Sequence, residues 1–114
     1  MLIVAVAVAV TVAFLFWPKS ALAPGTAARQ AFAACLTQKG MTMYGDDACP
    51  NCQAQKQMFQ QDFEQISYVN CVFHQDECGQ KNLPGYPVWM RDGKQFPGVQ
   101  NFSELAQISG CTAP

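Results

Sequence analysis

The chain opens on an unbroken apolar run and then changes character. From Met1 to Trp17 the only polar side chain is Thr11, and none is charged. Alternating Ala and Val leave no polar face, so the run predicts a membrane-anchor or signal helix rather than a buried core helix. At about 1.5 Å per residue it reaches roughly 26 Å, the short end of what crosses a bilayer. Trp17 suits an interfacial position, and Lys19 can reach the headgroups.

Beyond it the pattern is that of a small mixed domain. Residues 18–28 form a linker, rich in Pro, Ala and Gly as far as Gly25, and residues 29–114 form the domain. A first helix begins near Thr26, with Phe32, Cys35 and Leu36 at i, i+3 and i+4, and Gly40 caps its end. Met41 to Tyr44 reads as a short buried strand, followed by a loop over Gly45 to Ala48. A longer helix starts at the Cys49-Pro50 step, since proline suits a first turn. Gln55, Phe59 and Phe63 mark its face with Met58 beside them, and it ends near Glu64.

Ser67 to Phe73 reads as the second strand, and Asp76 to Asn82 as a short helix. Pro87 to Met90 is a third strand, and Asp92-Gly93 turns the chain into a returning strand, Lys94 to Phe96. The last helix opens on Asn101 as N-cap with Glu104 at capping-box spacing, carries Phe102, Leu105, Ala106 and Ile108, and stops at Gly110. The order is β-α-β-(short α)-β-β-α behind an extra helix, an α/β domain.

Composition narrows the setting. The chain has 114 residues and a formal net charge of -1. Lys and Arg are scattered, so a nucleic-acid partner has no electrostatic footprint. Six cysteines in so short a chain point to an oxidising compartment. The positive-inside rule points the other way, because Lys19 and Arg29 follow the apolar run. The cysteine count weighs more, which puts the domain outside the cytoplasm: periplasm, thylakoid lumen or cell surface. Ala21-Leu22-Ala23 is a cleavage pattern, but Pro24 follows it, and Thr26-Ala27-Ala28 is a weaker site. The reading favours an uncleaved anchor; cleavage would give a secreted protein.

The chemistry sits at Cys49-Pro50-Asn51-Cys52, where a strand hands over to a helix. A thiolate is the nucleophile in disulfide exchange, and a helix N-terminus offers unpaired N–H groups and partial positive charge. Cys49 meets that requirement. Cys52, three residues on, faces the same side of the first turn and is spaced to attack a mixed disulfide on Cys49. Alone, a C-x-x-C also fits a zinc half-site or a structural bridge. The downstream segment Gly85-Tyr86-Pro87-Val88-Trp89 favours exchange: an X-Pro step ahead of a strand suits a cis bond, and backbone beside it can pair with a substrate chain. Otherwise Pro87 is an ordinary loop proline.

Five segments carry a resemblance: Met43-Tyr44-Gly45, Cys49 to Lys56, Tyr68-Val69-Asn70-Cys71, Gly85 to Trp89, and Gly98-Val99-Gln100. Over roughly Phe32 to Cys111 the chain resembles the thioredoxin-like domain associated with vitamin K epoxide reductase homologues. The resemblance implies a thioredoxin fold, β-α-β-β-β-α with an extra N-terminal helix, and a role in disulfide formation outside the cytoplasm. It implies protein thiols as substrates and a quinone-linked membrane reductase as partner, with no cofactor or metal in the domain itself. It makes Cys49 the attacking cysteine, Cys52 the resolving one, Pro50 and Asn51 the intervening loop, and Tyr86-Pro87 the substrate-binding step.

Two departures bear on direction. The family commonly has Trp-Cys-Pro-His-Cys, where this chain has Ala48 and Asn51. Asn51 carries no charge to hold a thiolate, and Asp46 and Asp47 would oppose one. Both changes make the disulfide less oxidising, so a membrane-tethered reductase is the alternative. Met43 stands six residues before Cys49, where thioredoxin has a buried acid.

On this fold, Cys35 and Cys111 flank the domain and Cys71 and Cys78 close a small loop, which favours 35–111 and 71–78 among the fifteen pairings that six cysteines allow. Cys71–Cys78 as a second redox pair is the competing reading. His74, the only histidine, reads as a solvated loop residue. Trp89 and Phe96 read as core or groove residues. A zinc module on Cys49, Cys52, Cys71 and Cys78 has unequal ligand spacing, unlike a zinc ribbon. A disulfide-stabilised binding domain has no need of Pro87 opposite the C-x-x-C.

Overall fold

A computed structural model describes residues 24–114. The apolar run Met1 to Trp17 and the Ala21-Leu22-Ala23 pattern lie outside the described residues. Among the described residues no helix is long and apolar enough to cross a membrane.

Helix α1 runs Pro24–Gln38. It begins two residues before Thr26, inside the stretch read as linker, because proline at a first helical position costs no hydrogen bond. Gly40 takes φ +82°, a left-handed conformation open to glycine, and turns the chain into β1, Thr42–Gly45. Next come α2 (Pro50–Phe59), a 3-10 turn (Gln60–Gln65), β2 (Ser67–Asn70), α3 (Gln75–Gln80), β3 (Val88–Arg91), β4 (Lys94–Pro97) and α4 (Phe102–Ser109).

The long second helix is therefore broken. At Gln60 the backbone swings to φ 51°, and the chain goes on as the 3-10 turn. Through this turn Asp62 meets Arg29 Nε of α1 at 2.7 Å, with both side chains largely buried. The second strand is also shorter than its apolar run. It stops at Asn70, and residues 71–73 form a turn in which Cys71 stays buried and Phe73 is 79 % exposed.

The four strands form one sheet in the order β2-β1-β3-β4. β1 runs parallel to β2, with Met43 opposite Tyr68 and Gly45 opposite Asn70. β1 runs antiparallel to β3, and β3 to β4. Asp92 and Gly93, at φ 51° and 77°, make the two-residue turn between the last pair. This mixed α/β arrangement is compatible with a thioredoxin-like fold.

The main core joins Phe32, Ala33 and Leu36 of α1 to Met43 of β1, Cys52 and Phe59 of α2, Trp89 of β3 and Leu105 of α4. Phe59 and Phe102 rings lie 5.0 Å apart, and Phe32 and Phe102 rings 5.4 Å. A smaller cluster gathers Tyr44, Cys71 and Cys78, with Val69, Leu83 and Met90 against it. α4 opens with the capping box read from the sequence: Asn101 accepts from Glu104 N–H, and Glu104 accepts from Asn101 N–H.

Two disulfides hold this frame. Cys35 of α1 is bonded to Cys111, just after α4, with Cα atoms 6.1 Å apart. Cys71 is bonded to Cys78 across the turn between β2 and α3, with Cα atoms 5.7 Å apart.

Candidate active site

Cys49 and Cys52 are the two free cysteines among the described residues. The loop that delivers them is shaped by Asp46. Its carboxylate accepts the Ala48 N–H at 2.8 Å and its carbonyl accepts the Cys49 N–H at 3.0 Å, a tight turn that aims the chain into α2. Cys49 is then the N-cap, in extended conformation (φ -78°, ψ 121°), and Pro50 fills the first turn without wasting an N–H. The Cys49 sulfur accepts the Cys52 N–H at 3.2 Å. A sulfur thus takes the capping position where Ser, Asp or Asn usually satisfies an orphan donor.

The two thiols differ in environment. Cys49 is half-buried, with Pro50 and Asn51 exposed beside it. Cys52 is fully buried in the core. Burial, reinforced by the hydrogen bond with Cys49, pushes the Cys52 thiol up to about 12. Gly45 explains how Cys52 fits. A β-carbon at Gly45 would lie 3.1 Å from the Cys52 sulfur and 3.2 Å from Cε2 of Tyr68.

The Tyr86-Pro87 peptide bond is cis. Pro87 is fully buried, whereas Tyr86 is 40 % exposed. The Tyr86 carbonyl oxygen lies 3.6 Å from the Cys49 sulfur, within reach of a thiol S–H. The structure therefore brings Cys49, Cys52, Tyr86 and Pro87 together at one end of β1 and α2. Cys35 and Cys111 are joined to each other and pack on the main core. Cys71 and Cys78 share with Tyr86 a cleft of about 310 Å³, also lined by Gln75 and Leu83.

Cys71 and Cys78 are bonded to each other rather than gathered with Cys49 and Cys52. Among the described residues no group of three or more His, Cys, Asp or Glu side chains is placed to hold a metal. His74 is exposed at the start of α3 with no side-chain capping bond. Trp89 is a core residue, fully buried.

Two features around the site are not evident from sequence. One is Gln55, on α2 three residues beyond Cys52 and fully buried. Its Oε1 accepts from Trp89 Nε1 at 3.0 Å and from Gln100 N–H at 2.7 Å, while its Nε2 donates to the Gln100 carbonyl at 3.0 Å. One amide therefore ties the C-x-x-C helix to β3 and to the loop before α4. The other is Asp47. Instead of standing as a bare charge against Cys49, its carboxylate accepts from Lys56 Nζ, Tyr68 OH and Asn70 Nδ2. The Lys56 hydrogen bond, then that of Tyr68, hold it below the usual carboxylate range. Burial and the same bond to Asp47 raise the Tyr68 phenol.

No family model matches the chain. Over 84 residues it is 32 % identical to Thiol-disulfide oxidoreductase LTO1 of Arabidopsis thaliana, an alignment covering 66 % of this chain and 22 % of that protein. The chain thus spans about a fifth of that relative's length. A distant thiol–disulfide oxidoreductase relative, and a free cysteine pair at a helix start within a mixed α/β domain, together support a thiol–disulfide redox role.

Proposed function

We propose that the domain is an extracytoplasmic thiol–disulfide oxidoreductase that exchanges disulfides with protein thiols, using Cys49 to attack and Cys52 to resolve. The observation that carries this reading is the Cys49 sulfur itself. It is half-exposed, it caps α2 by accepting the Cys52 N–H at 3.2 Å, and it faces the Tyr86 carbonyl at 3.6 Å. Negative charge on that sulfur meets backbone N–H groups and the positive end of a helix. Cys52 follows three residues on, in the first turn of the same helix.

In the oxidative direction, a substrate thiolate attacks the Cys49 sulfur of the Cys49–Cys52 disulfide. Cys52 leaves as thiolate and takes up a proton. A second thiolate of the substrate then attacks the substrate sulfur that is bonded to Cys49, forming the substrate disulfide and releasing Cys49 as thiolate. The substrate gains a disulfide, and the domain gains two electrons and two protons. A quinone-linked membrane reductase of the vitamin K epoxide reductase type is the partner that would reoxidise it, with the apolar run Met1 to Trp17 keeping the domain at the membrane. Substrate backbone would run beside Tyr86 and Pro87.

Asn51 favours a second reading, a membrane-tethered reductase, because it brings no charge to hold the Cys49 thiolate. Capture with Cys52→Ala in cells tests both. The variant leaves mixed disulfides on Cys49 unresolved. Secreted proteins together with a membrane quinone reductase are the expected catch. A catch of cytosolic proteins alone would overturn the location, and an empty Cys49 would overturn the enzyme.

A further inference from the structure

Cys52 is wholly buried, and its thiol must lose a proton before it can displace anything from Cys49. The titratable and charged groups around it are few. Cys49 shares a hydrogen bond with it, the Asp46 main-chain amide points to it, and Tyr68 and Lys56 lie beyond. Met43, packed in the same core cluster, contributes no charge.

Lys56 stands one helical turn after Cys52 on α2, so the two side chains share a face. Its ammonium lies 4.1 Å from the centre of the Tyr68 ring and 5.6 Å from that of Phe63. The Tyr68 ring in turn shares with the Cys52 sulfur the space above Gly45, each within 3.2 Å of the point a β-carbon would occupy. A lysine is usually a mobile, solvated charge, but this one is 20 % exposed and held by Asp47. Asp47 is fixed in turn by Tyr68 OH and Asn70.

We propose that Lys56 is a positioning residue for the second half of the exchange, its clamped ammonium favouring the Cys52 thiolate that displaces the bound substrate from Cys49. The inference rests on the function proposed above. The step balances without an outside reagent. The Cys52 sulfur attacks the Cys49 sulfur, the Cys49–substrate bond breaks, and the Cys52 proton ends on the departing substrate thiolate. Asp47 does not cancel the effect. Its carboxylate is 57 % exposed and screened by water, whereas the ammonium acts across the ring, where the effective dielectric is lower. Burial is the main influence raising the Cys52 thiol, and the Asp46 amide, followed by Lys56, acts against it.

The test is a two-step thiol titration of the reduced protein with its other two disulfides intact. An aromatic disulfide that releases a coloured thiolate labels Cys49 first, and Cys52 then expels the second coloured thiolate. Lys56→Met is expected to slow the second release about tenfold at neutral pH and to move its pH profile up by about one unit. Lys56→Arg, which keeps the charge, should retain the wild-type profile. NMR titration of the Cys52 β-carbon in folded Lys56→Met gives the same answer without kinetics. An unchanged profile in Lys56→Met, or an equal shift in Lys56→Arg, would overturn the role of the charge. A wild-type protein with no Cys52-dependent second release would instead overturn the exchange function itself.

Discussion

The Trp89 indole nitrogen donates to the Gln55 side-chain oxygen at 3.0 Å, and both residues are fully buried. This bond fixes the helix that carries Cys52 to the strand that begins just after Pro87. The Gln100 main chain completes it through its N–H and carbonyl. Gln55→Leu would leave the indole and the Gln100 groups unpaired inside the protein. Each such group costs about 1–3 kcal/mol. We expect the variant to lose about 3 kcal/mol in denaturant unfolding, and Trp89 fluorescence to report a disturbed environment.

Gly45 lies under the resolving cysteine. In Gly45→Ala the new methyl would sit 3.1 Å from the Cys52 sulfur, so sulfur and Tyr68 ring must yield by a few tenths of an ångström. Overpacking of this kind costs about 1–3 kcal/mol. A lowered thermal midpoint is expected, together with slower closure of the Cys49–Cys52 disulfide because Cys52 is displaced.

Stability should respond to pH at both ends. Asp47 is held below the usual carboxylate range, chiefly by Lys56, so its contribution is present above the unfolded carboxylate pKa. That contribution is lost as pH falls through the lower folded value. Asp47→Asn should flatten the acid limb of unfolding free energy against pH. Cys52 behaves oppositely, being raised from 9.0 to about 12 in the fold. Its contribution to the reduced protein is present below the unfolded thiol value and drains away as pH climbs towards 12. Reduced Cys52→Ala should lack that alkaline loss, as read by denaturation at several pH values.

The disulfides should contribute unequally. Cys35–Cys111 spans 76 positions and Cys71–Cys78 spans 7. Loop-closure entropy assigns them about 4.5 and about 2.5 kcal/mol. Paired Cys→Ala variants at each bridge, compared by equilibrium unfolding, check the order. Loss of the larger bridge should be the more damaging.

The sequence spoke most clearly where the signal was local. Cys49-Pro50 at a helix start, Asp92-Gly93 at a hairpin and Asn101 with Glu104 at a cap each involve residues a few positions apart, and each of these three boundaries falls where its local signal puts it. Distant partners were not legible. Gln55 sat at the spacing of an apolar face, and nothing nearby pointed to Trp89 or Gln100 as its partners. Asp47 looked like a charge against the thiolate because Tyr68 and Asn70 reach it only once β2 pairs with β1. The helix break at Gln60 was hidden for a similar reason. Phe59 and Phe63 keep helical spacing, while the Arg29–Asp62 pair that accompanies the break joins residues 33 positions apart.

The most direct test mixes the oxidised protein with a reduced, unfolded polypeptide containing two thiols, quenches with acid at intervals, and weighs the products. Wild-type protein should transfer its disulfide, and an oxidised mixed disulfide should be caught on Cys49 alone. Reduced Cys52→Ala should accumulate that adduct when offered a disulfide substrate, while Cys49→Ala should form none. Exchange by Cys49→Ala at the wild-type rate would contradict the assignment of Cys49 as the attacking sulfur, and with it the account of the site.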